Sequence, residues 1–130
     1  RNNLAYTVLR RGGDLKEAKA LAERAVADAP SNSAYQDTLA RIYARLGDLP
    51  AALTTFQNAV RDDAGNVEAL IGLADTQTRT GNRDEAASTL ERVETILHSN
   101  PMLPDAVRQQ LDEVRTSLKK PAETTSADVK

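Results

Sequence analysis

Three arginines stand at helical and repeat spacing in the middle of the chain. Arg41 and Arg45 are four residues apart, which places both on one face of a helix, and Arg79 follows Arg45 by 34 residues. A guanidinium group binds a carboxylate through parallel hydrogen bonds, so a row of arginines would suit an acidic peptide segment. Asp37 and Asp75 each precede an arginine by four residues and would instead neutralise it within the helix. The spacing leaves both interpretations open, a recognition site or a solvated charged face.

Two further segments carry residue types that bind metals. Both are better explained as parts of helix ends than as metal sites. The segment DDAGNVE, residues 62–68, lacks the alternating oxygen ligands of a calcium loop and leads directly into a helical pattern. We expect Asp62 and Asp63 to end one helix and Asn66 to cap the next. His98 is the only histidine, and the chain has no cysteine. The sequence therefore predicts no metal and no cofactor.

The composition favours a small helical chain without catalytic machinery. Of the 130 residues, 40% are hydrophobic, 28% charged and only 3% aromatic, which is typical of helices packed through alanine and leucine. A net charge of -2 argues against nucleic acid, and no apolar run reaches the ~20 residues of a membrane span. The sequence contains neither a glycine-rich phosphate loop nor a nucleophile beside a base, so it does not indicate an enzyme. Since the chain opens on a helix interior, RNNLAYTVLR, we expect it to extend upstream.

The elements that must position these residues repeat every 34 positions. Gly13, Gly47 and Gly81 are spaced by that distance. The same offset relates three further columns, which are Ala18, Ala52 and Ala86; Ala25, Ala59 and Val93; and Asn32, Asn66 and Asn100. A helical composition with this period resembles the tetratricopeptide repeat, in which each unit is a pair of antiparallel helices.

Individual residues carry that resemblance column by column. The second copy has the family's first-helix, turn and second-helix residues at Leu39, Ala40, Tyr43, Gly47, Asp48, Ala52, Phe56 and Ala59. The other copies depart from it at two large-residue columns. Gln77 stands at the column of Tyr43, and Ala22 stands at the column of Phe56. We expect looser packing at both positions.

The resemblance implies an all-α fold, a right-handed α-solenoid of three helix hairpins plus a C-terminal capping helix. One hairpin cannot bury its narrow apolar stripe alone, so neighbouring hairpins must cover it. The expected bounds are 1–31 for a truncated first unit, 32–65 and 66–100 for the next two, 101–120 for the capping helix and 121–130 for a polar tail. The capping helix has an apolar face of Val107, Leu111, Val114 and Leu118 and a polar face of Arg108, Gln109, Asp112, Glu113 and Arg115.

The same resemblance implies that the first helices of successive units line a groove for a peptide or a helix of another protein. Carried over to this chain, the groove positions are Asn2, Asn3, Tyr6, Arg10, Asp37, Thr38, Arg41, Arg45, Glu68, Asp75, Thr78 and Arg79. The carboxylate clamp known from this family is not expected. The positions that match it are Asn2, Tyr6, Thr38, Glu68 and Gly72, and none of them is a lysine.

The predicted function is a non-catalytic scaffold that binds a protein or peptide partner, with an acidic segment as one candidate ligand, and neither nucleic acid nor membrane. Two alternatives stay open. One is self-assembly into a dimer or an end-to-end stack through the exposed ends of the array. The other is an accessory domain of a larger enzyme or export machine. The stretch NNLAYTVLRRGGDLKEAKALAERAV is also similar to the C-terminal repeats of bacterial proteins of exopolysaccharide assembly, including lipoproteins of the exosortase type.

Overall fold

The computed structural model describes residues 14–120, which form α-helices joined by short turns, with no strand in that range. The helices are α1 (Leu15–Asp28), α2 (Ser33–Arg45), α3 (Leu49–Asp62), α4 (Val67–Arg79), α5 (Arg83–Ser99) and α6 (Asp105–Lys119). The predictions for Asn2, Asn3, Tyr6, Arg10 and Gly13, and those for the polar tail 121–130, lie outside the described residues. Within residues 14–120, no helix is both long and apolar enough to cross a bilayer.

The turns inside the two complete hairpins have the same backbone geometry. Gly47 and Gly81 both have a φ of 85°, a left-handed conformation that is costly for any residue with a β-carbon. The amide after each glycine donates back across the last helical turn, from Asp48 to the Tyr43 carbonyl at 2.9 Å and from Asn82 to the Gln77 carbonyl at 2.8 Å. The prediction that Gly47 ends one helix before Asp48 is therefore confirmed.

Short polar side chains begin four of the six helices in the described range. Each accepts a hydrogen bond from a backbone amide in the first helical turn, and the caps are Asp14, Asn32, Asp48 and Asn66. α3 ends at Asp62, and the Asp63 carboxylate accepts from the Gly65 amide at 3.0 Å. The segment DDAGNVE is thus a helix end followed by a helix start, as predicted.

The hairpins stack through two clusters of buried apolar residues, and the partly buried Tyr43 packs against both. α2 packs against α3 within one hairpin, α4 packs against α5 within the next, and α3 and α2 both contact α4 across the junction. The largest fully buried apolar side chains are Ile42, Phe56, Leu70, Ile71, Val93, Leu111 and Val114. Each contributes about 1.5–3 kcal/mol to the free energy of unfolding. The arrangement is the predicted all-α helical repeat solenoid.

At Gln77, the third unit has a buried polar contact where the second unit has the aromatic Tyr43. The Gln77 side chain is buried, and its Oε1 accepts a hydrogen bond of 2.7 Å from the Thr89 hydroxyl of α5. A buried amide with a hydrogen-bonded partner avoids most of the cost of desolvation. Ala22 is fully buried as well. A polar contact thus replaces the aromatic one at Gln77, and the expectation of looser packing at both columns stays a prediction.

The capping helix α6 leans toward the first helix of the last hairpin. It buries Leu111 and Val114 in the core and packs more extensively on α4 than on α5. Two arginines fasten its far side to α5. Arg115 pairs with Glu94, and Arg83 donates to backbone carbonyls at the C-terminus of α6. α6 is thereby held beside the surface that α2 and α4 share.

Candidate functional site

A cavity of about 340 Å³ opens where α2, α4 and α6 meet. The first helices of the two complete hairpins form two of its walls, and the capping helix forms a third. Its lining residues are Arg41, Ala44 and Arg45 from α2, Phe56 from α3, Gly72, Asp75, Thr76 and Arg79 from α4, and Gln110 and Glu113 from α6. The cavity thus combines an apolar floor with charged groups of both signs.

The floor of the cavity depends on the close approach of Phe56 to Gly72. An ideal β-carbon built on Gly72 would lie only 2.4 Å from two carbons of the Phe56 ring. Real β-carbons do not approach an aromatic carbon so closely, so the ring can occupy this place only because residue 72 has no side chain. The ring itself is buried.

Arg41 is held by three helices at once. Its Nε lies 3.1 Å from the Asp37 carboxylate, Nη1 donates to Gln110 of α6 at 3.0 Å, and Nη2 donates to the Glu68 carbonyl at 2.9 Å. Its guanidinium carbon also lies 5.9 Å from the centroid of the Phe56 ring. The donors of Arg41 are therefore largely committed to the fold.

Burial raises the pKa of two carboxylates near these arginines, Asp37 and Asp75. Burial raises the pKa of Asp37 above its usual 3.8, and the Arg41 guanidinium offsets part of that rise. Burial also raises the pKa of Asp75, and the neighbouring Glu113 adds to the rise while Arg79 and Arg41 oppose it. The pKa of Asp75 thus depends on charged groups of α2, α4 and α6.

Arg45 and Arg79 remain accessible. Arg79 lies 3.4 Å from the Asp75 carboxylate, but its side chain is 55% exposed, and such a pair contributes at most about 1 kcal/mol. Arg45 is exposed and has no hydrogen bond or ion pair with any residue between 14 and 120. Of the three arginines that the sequence analysis singles out, two can therefore reach a ligand, and Arg41 is mainly structural.

The remaining predicted site residues in the described range, Asp37, Thr38, Glu68 and Thr78, do not line the cavity. The Thr38 hydroxyl is buried and donates to the Ala34 carbonyl at 3.2 Å. The Thr78 hydroxyl donates to the Ala74 carbonyl at 2.8 Å, and the Glu68 side chain is exposed. Asp37 acts through Arg41 rather than as a lining residue. The cavity thus brings together Arg41, Arg45, Asp75 and Arg79 from the predicted set.

Sequence reasoning missed six lining residues of the cavity, which are Ala44, Phe56, Gly72, Thr76, Gln110 and Glu113. The sequence analysis places Phe56 at a packing column and names Gly72 only as a position of the clamp, although a glycine in the middle of a helical pattern signals a close approach. Gln110 and Glu113 belong to α6, which follows the point where the 34-residue period stops, so no column predicted where they would lie. In residues 14–120, no three His, Asp or Glu side chains gather in a way that could hold a metal ion.

The fold and the cavity define a helical repeat array with a pocket on the side of its first helices. Two tetratricopeptide-repeat family models match the sequence, one over residues 5–52 and the other over residues 43–101. Both describe the same repeat, and together they span 97 of the 130 residues. The chain therefore belongs to the tetratricopeptide-repeat family. No curated protein sequence matches it.

Solved structures share this fold at low sequence identity. The TPR2B domain of yeast Sti1, in a complex with pHsp70, is 19% identical, with 90% of this chain and 92% of that chain covered at a TM-score of 0.78. The first TPR of Spaghetti (RPAP3), bound to the HSP90 peptide SRMEEVD, is 18% identical. The match covers 92% of this chain and 93% of that chain at a TM-score of 0.73. SycD, a translocator chaperone of type III secretion from Yersinia enterocolitica, is 15% identical. The match covers 92% of this chain and 83% of that chain at a TM-score of 0.76.

Proposed function

We propose that this chain is a non-catalytic interaction module that binds an extended peptide segment of a partner protein. The observation that carries the proposal is the cavity between α2, α4 and α6, with the accessible guanidinium groups of Arg45 and Arg79 at its edge. The cavity is large enough for one or two side chains rather than for a whole helix, so the segment would be anchored there and continue along α2 and α4.

The structural relatives support this mode of action. The Sti1 domain is described in a complex with pHsp70, and the Spaghetti domain is bound to the peptide SRMEEVD. Repeat arrays of this kind present extended concave surfaces on which a partner segment can be laid. A binding surface is the function that this fold and this cavity serve best.

The charges at the cavity favour an acidic segment. A planar guanidinium binds a carboxylate through two hydrogen bonds, and both Arg45 and Arg79 can turn toward the cavity. The recognition would involve acidic side chains and not a free C-terminus, since the positions of the family's carboxylate clamp hold no lysine here. Among the described residues, Thr38, Glu68 and Gly72 stand at those positions.

The proposal is tested with fluorescein-labelled peptides that carry either two adjacent Glu or two adjacent Gln residues in an otherwise identical extended sequence. Fluorescence anisotropy gives the dissociation constant for the wild type and for Arg45→Glu. Because the substitution replaces an attraction by a repulsion, we expect binding of the Glu peptide to weaken about tenfold. Arg24→Glu, on exposed α1, makes the same change in net charge and should leave the affinity unchanged.

Two results would overturn this proposal. One is equal affinity for the Glu and Gln peptides, and the other is an equal loss of affinity in Arg45→Glu and Arg24→Glu. The peptide SRMEEVD separates acidic side chains from the terminal carboxylate. Amidation of its C-terminus should not change its affinity for this chain, whereas a large loss would indicate a clamp that the sequence does not predict.

Several finer predictions from the sequence stay predictions. They are the unit boundaries 32–65 and 66–100, self-assembly through the array ends, and a place in a larger enzyme or export machine. The link to exopolysaccharide assembly depends on one local stretch of sequence. Light scattering across a concentration series tests self-assembly directly, because a molecular mass that does not rise with concentration would exclude it.

A further inference from the structure

Two opposite charges face the cavity from different helices without a described partner. Arg45 extends from α2 and Glu113 from α6, and both are exposed lining residues. Neither side chain forms a hydrogen bond or an ion pair with another residue in the range 14–120. The other charged groups of the lining are already paired. Arg41 binds Asp37 at 3.1 Å, and Arg79 lies 3.4 Å from Asp75.

The position of Glu113 on the wall is set by the packing of α6. Leu111 and Val114, on either side of it along the helix, are buried in the core. Gln110, three residues before Glu113, is bonded to Arg41 across the cavity. The carboxylate of Glu113 is also close enough to Asp75 to add to the rise in the pKa of that group. Glu113 therefore belongs to the cavity and not to the outer face of α6.

We propose that the cavity selects a peptide segment that carries both signs of charge, an acidic side chain for Arg45 and a basic side chain for Glu113. This inference rests on the proposed function and adds a specificity determinant to it. Glu113 would attract the basic residue and repel a second acidic one, because like charges across a small cavity disfavour each other. A segment with only acidic residues would therefore bind less well than a mixed one.

The test is a binding cycle with two proteins and a scanned series of peptides. Starting from the Glu peptide above, a single Lys is placed in turn at each position from one to four residues before and after the Glu pair, with Gln as the matched control. Dissociation constants are measured for the wild type and for Glu113→Gln at low ionic strength. Glu91→Gln, on the exposed face of α5, is the control for loss of one negative charge.

We expect at least one Lys position to strengthen binding to the wild type about fivefold over its Gln control. The same Lys should give no gain in Glu113→Gln and the full gain in Glu91→Gln. An equal gain from Lys in the wild type and in Glu113→Gln, or no gain at any position, would overturn the inference. In both cases the loss of Glu-peptide binding in Arg45→Glu would still stand. If that loss is absent, the proposed function fails, and this inference fails with it.

Discussion

The two junctions between successive hairpins differ in which helix holds the smaller residue at two equivalent columns. Between α3 and α4, the large Phe56 lies against Gly72, where any β-carbon would collide with the ring. At the equivalent columns 34 residues earlier, between α1 and α2, the residues are the small Ala22 and the larger Thr38, and both are buried. The smaller residue of the two columns therefore lies on α4 at the second junction and on α1 at the first. The comparison teaches that the repeat does not fix which of the two columns holds the smaller residue.

The groove columns of the two complete hairpins follow a different rule. Arg45 and Arg79 are equivalent and both accessible, whereas Arg41 and Asp75, also equivalent, carry opposite charges. The turn glycines Gly47 and Gly81 keep the same backbone angle. The turn position therefore keeps one backbone conformation, whereas one of the two cavity columns reverses its charge between the units.

The comparison of residue sizes at the two junctions is tested most severely by substitutions at the second junction. Phe56→Ala should lower the free energy of unfolding by about 3–5 kcal/mol, because it leaves a cavity in the core. Gly72→Thr should lower it by about 2–3 kcal/mol through collision with the ring. The double variant recreates the residue sizes of the first junction, so its cost should be at least about 1.5 kcal/mol smaller than the sum. Urea unfolding measures all three, and simple additivity would break the comparison.

The comparison of arginines predicts the next largest effect. Arg41→Ala removes contacts to three helices and should lower the free energy of unfolding by about 1–3 kcal/mol. Arg45→Ala removes no contact with a described residue and should change it by less than about 0.5 kcal/mol. Thermal unfolding followed by circular dichroism distinguishes the two. Equal effects would show that Arg41 is as free as Arg45.

The caps of the two second helices provide a smaller difference. The Asp48 carboxylate accepts from the Ala51 amide at 3.1 Å, whereas Asn82 makes no capping bond and instead donates to the Thr80 hydroxyl at 3.0 Å. Asp48→Ala should therefore cost about 1 kcal/mol and Asn82→Ala less than half of that. Chemical denaturation provides the values. A larger cost at Asn82 would contradict the assignment of these helix starts.

The buried Asp37 and the hydrogen-bonded Asp62 should make the stability of the chain depend on pH in opposite directions. Since burial raises the pKa of Asp37 in the folded state, the folded chain holds this proton more tightly than the unfolded chain does. The stability of the wild type relative to Asp37→Asn should therefore fall as the pH rises above 3.8. The hydrogen bond from Gln36 lowers the pKa of Asp62, so the stability relative to Asp62→Asn should rise with pH below that value. Denaturation at several pH values gives both slopes, and slopes of the same sign would refute the assignment.

Local chemistry made much of the fold predictable from the sequence. Gly47 and Gly81 require a left-handed turn, and Asp48 and Asn66 bond to amides within three residues, so the signals lie next to the structures they specify. The 34-residue period then determines which helices pair. These are short-range rules, and they hold in the described part of the chain.

The cavity depends on longer-range contacts that the sequence does not reveal. Arg41 and Arg45 occupy one helix face, yet only Arg41 is held by α6, through Gln110 at a distance of 69 residues along the chain. The period stops before α6, so no column predicted that this helix would lean over α4. The pairing of Phe56 with Gly72 was accessible in principle, because reading both columns together with Ala22 and Thr38 shows the exchange of sizes.

The central claim is that the cavity between α2, α4 and α6 is the binding site. Its most direct test is a map of backbone amide shifts in ¹⁵N-labelled protein during titration with the Glu peptide. The account predicts that the largest shifts occur at Arg45, Gly72, Arg79 and Glu113 and decline along α2 and α4. Largest shifts on the second helices, around Gln57 and Arg92, with none at Gly72, would contradict it.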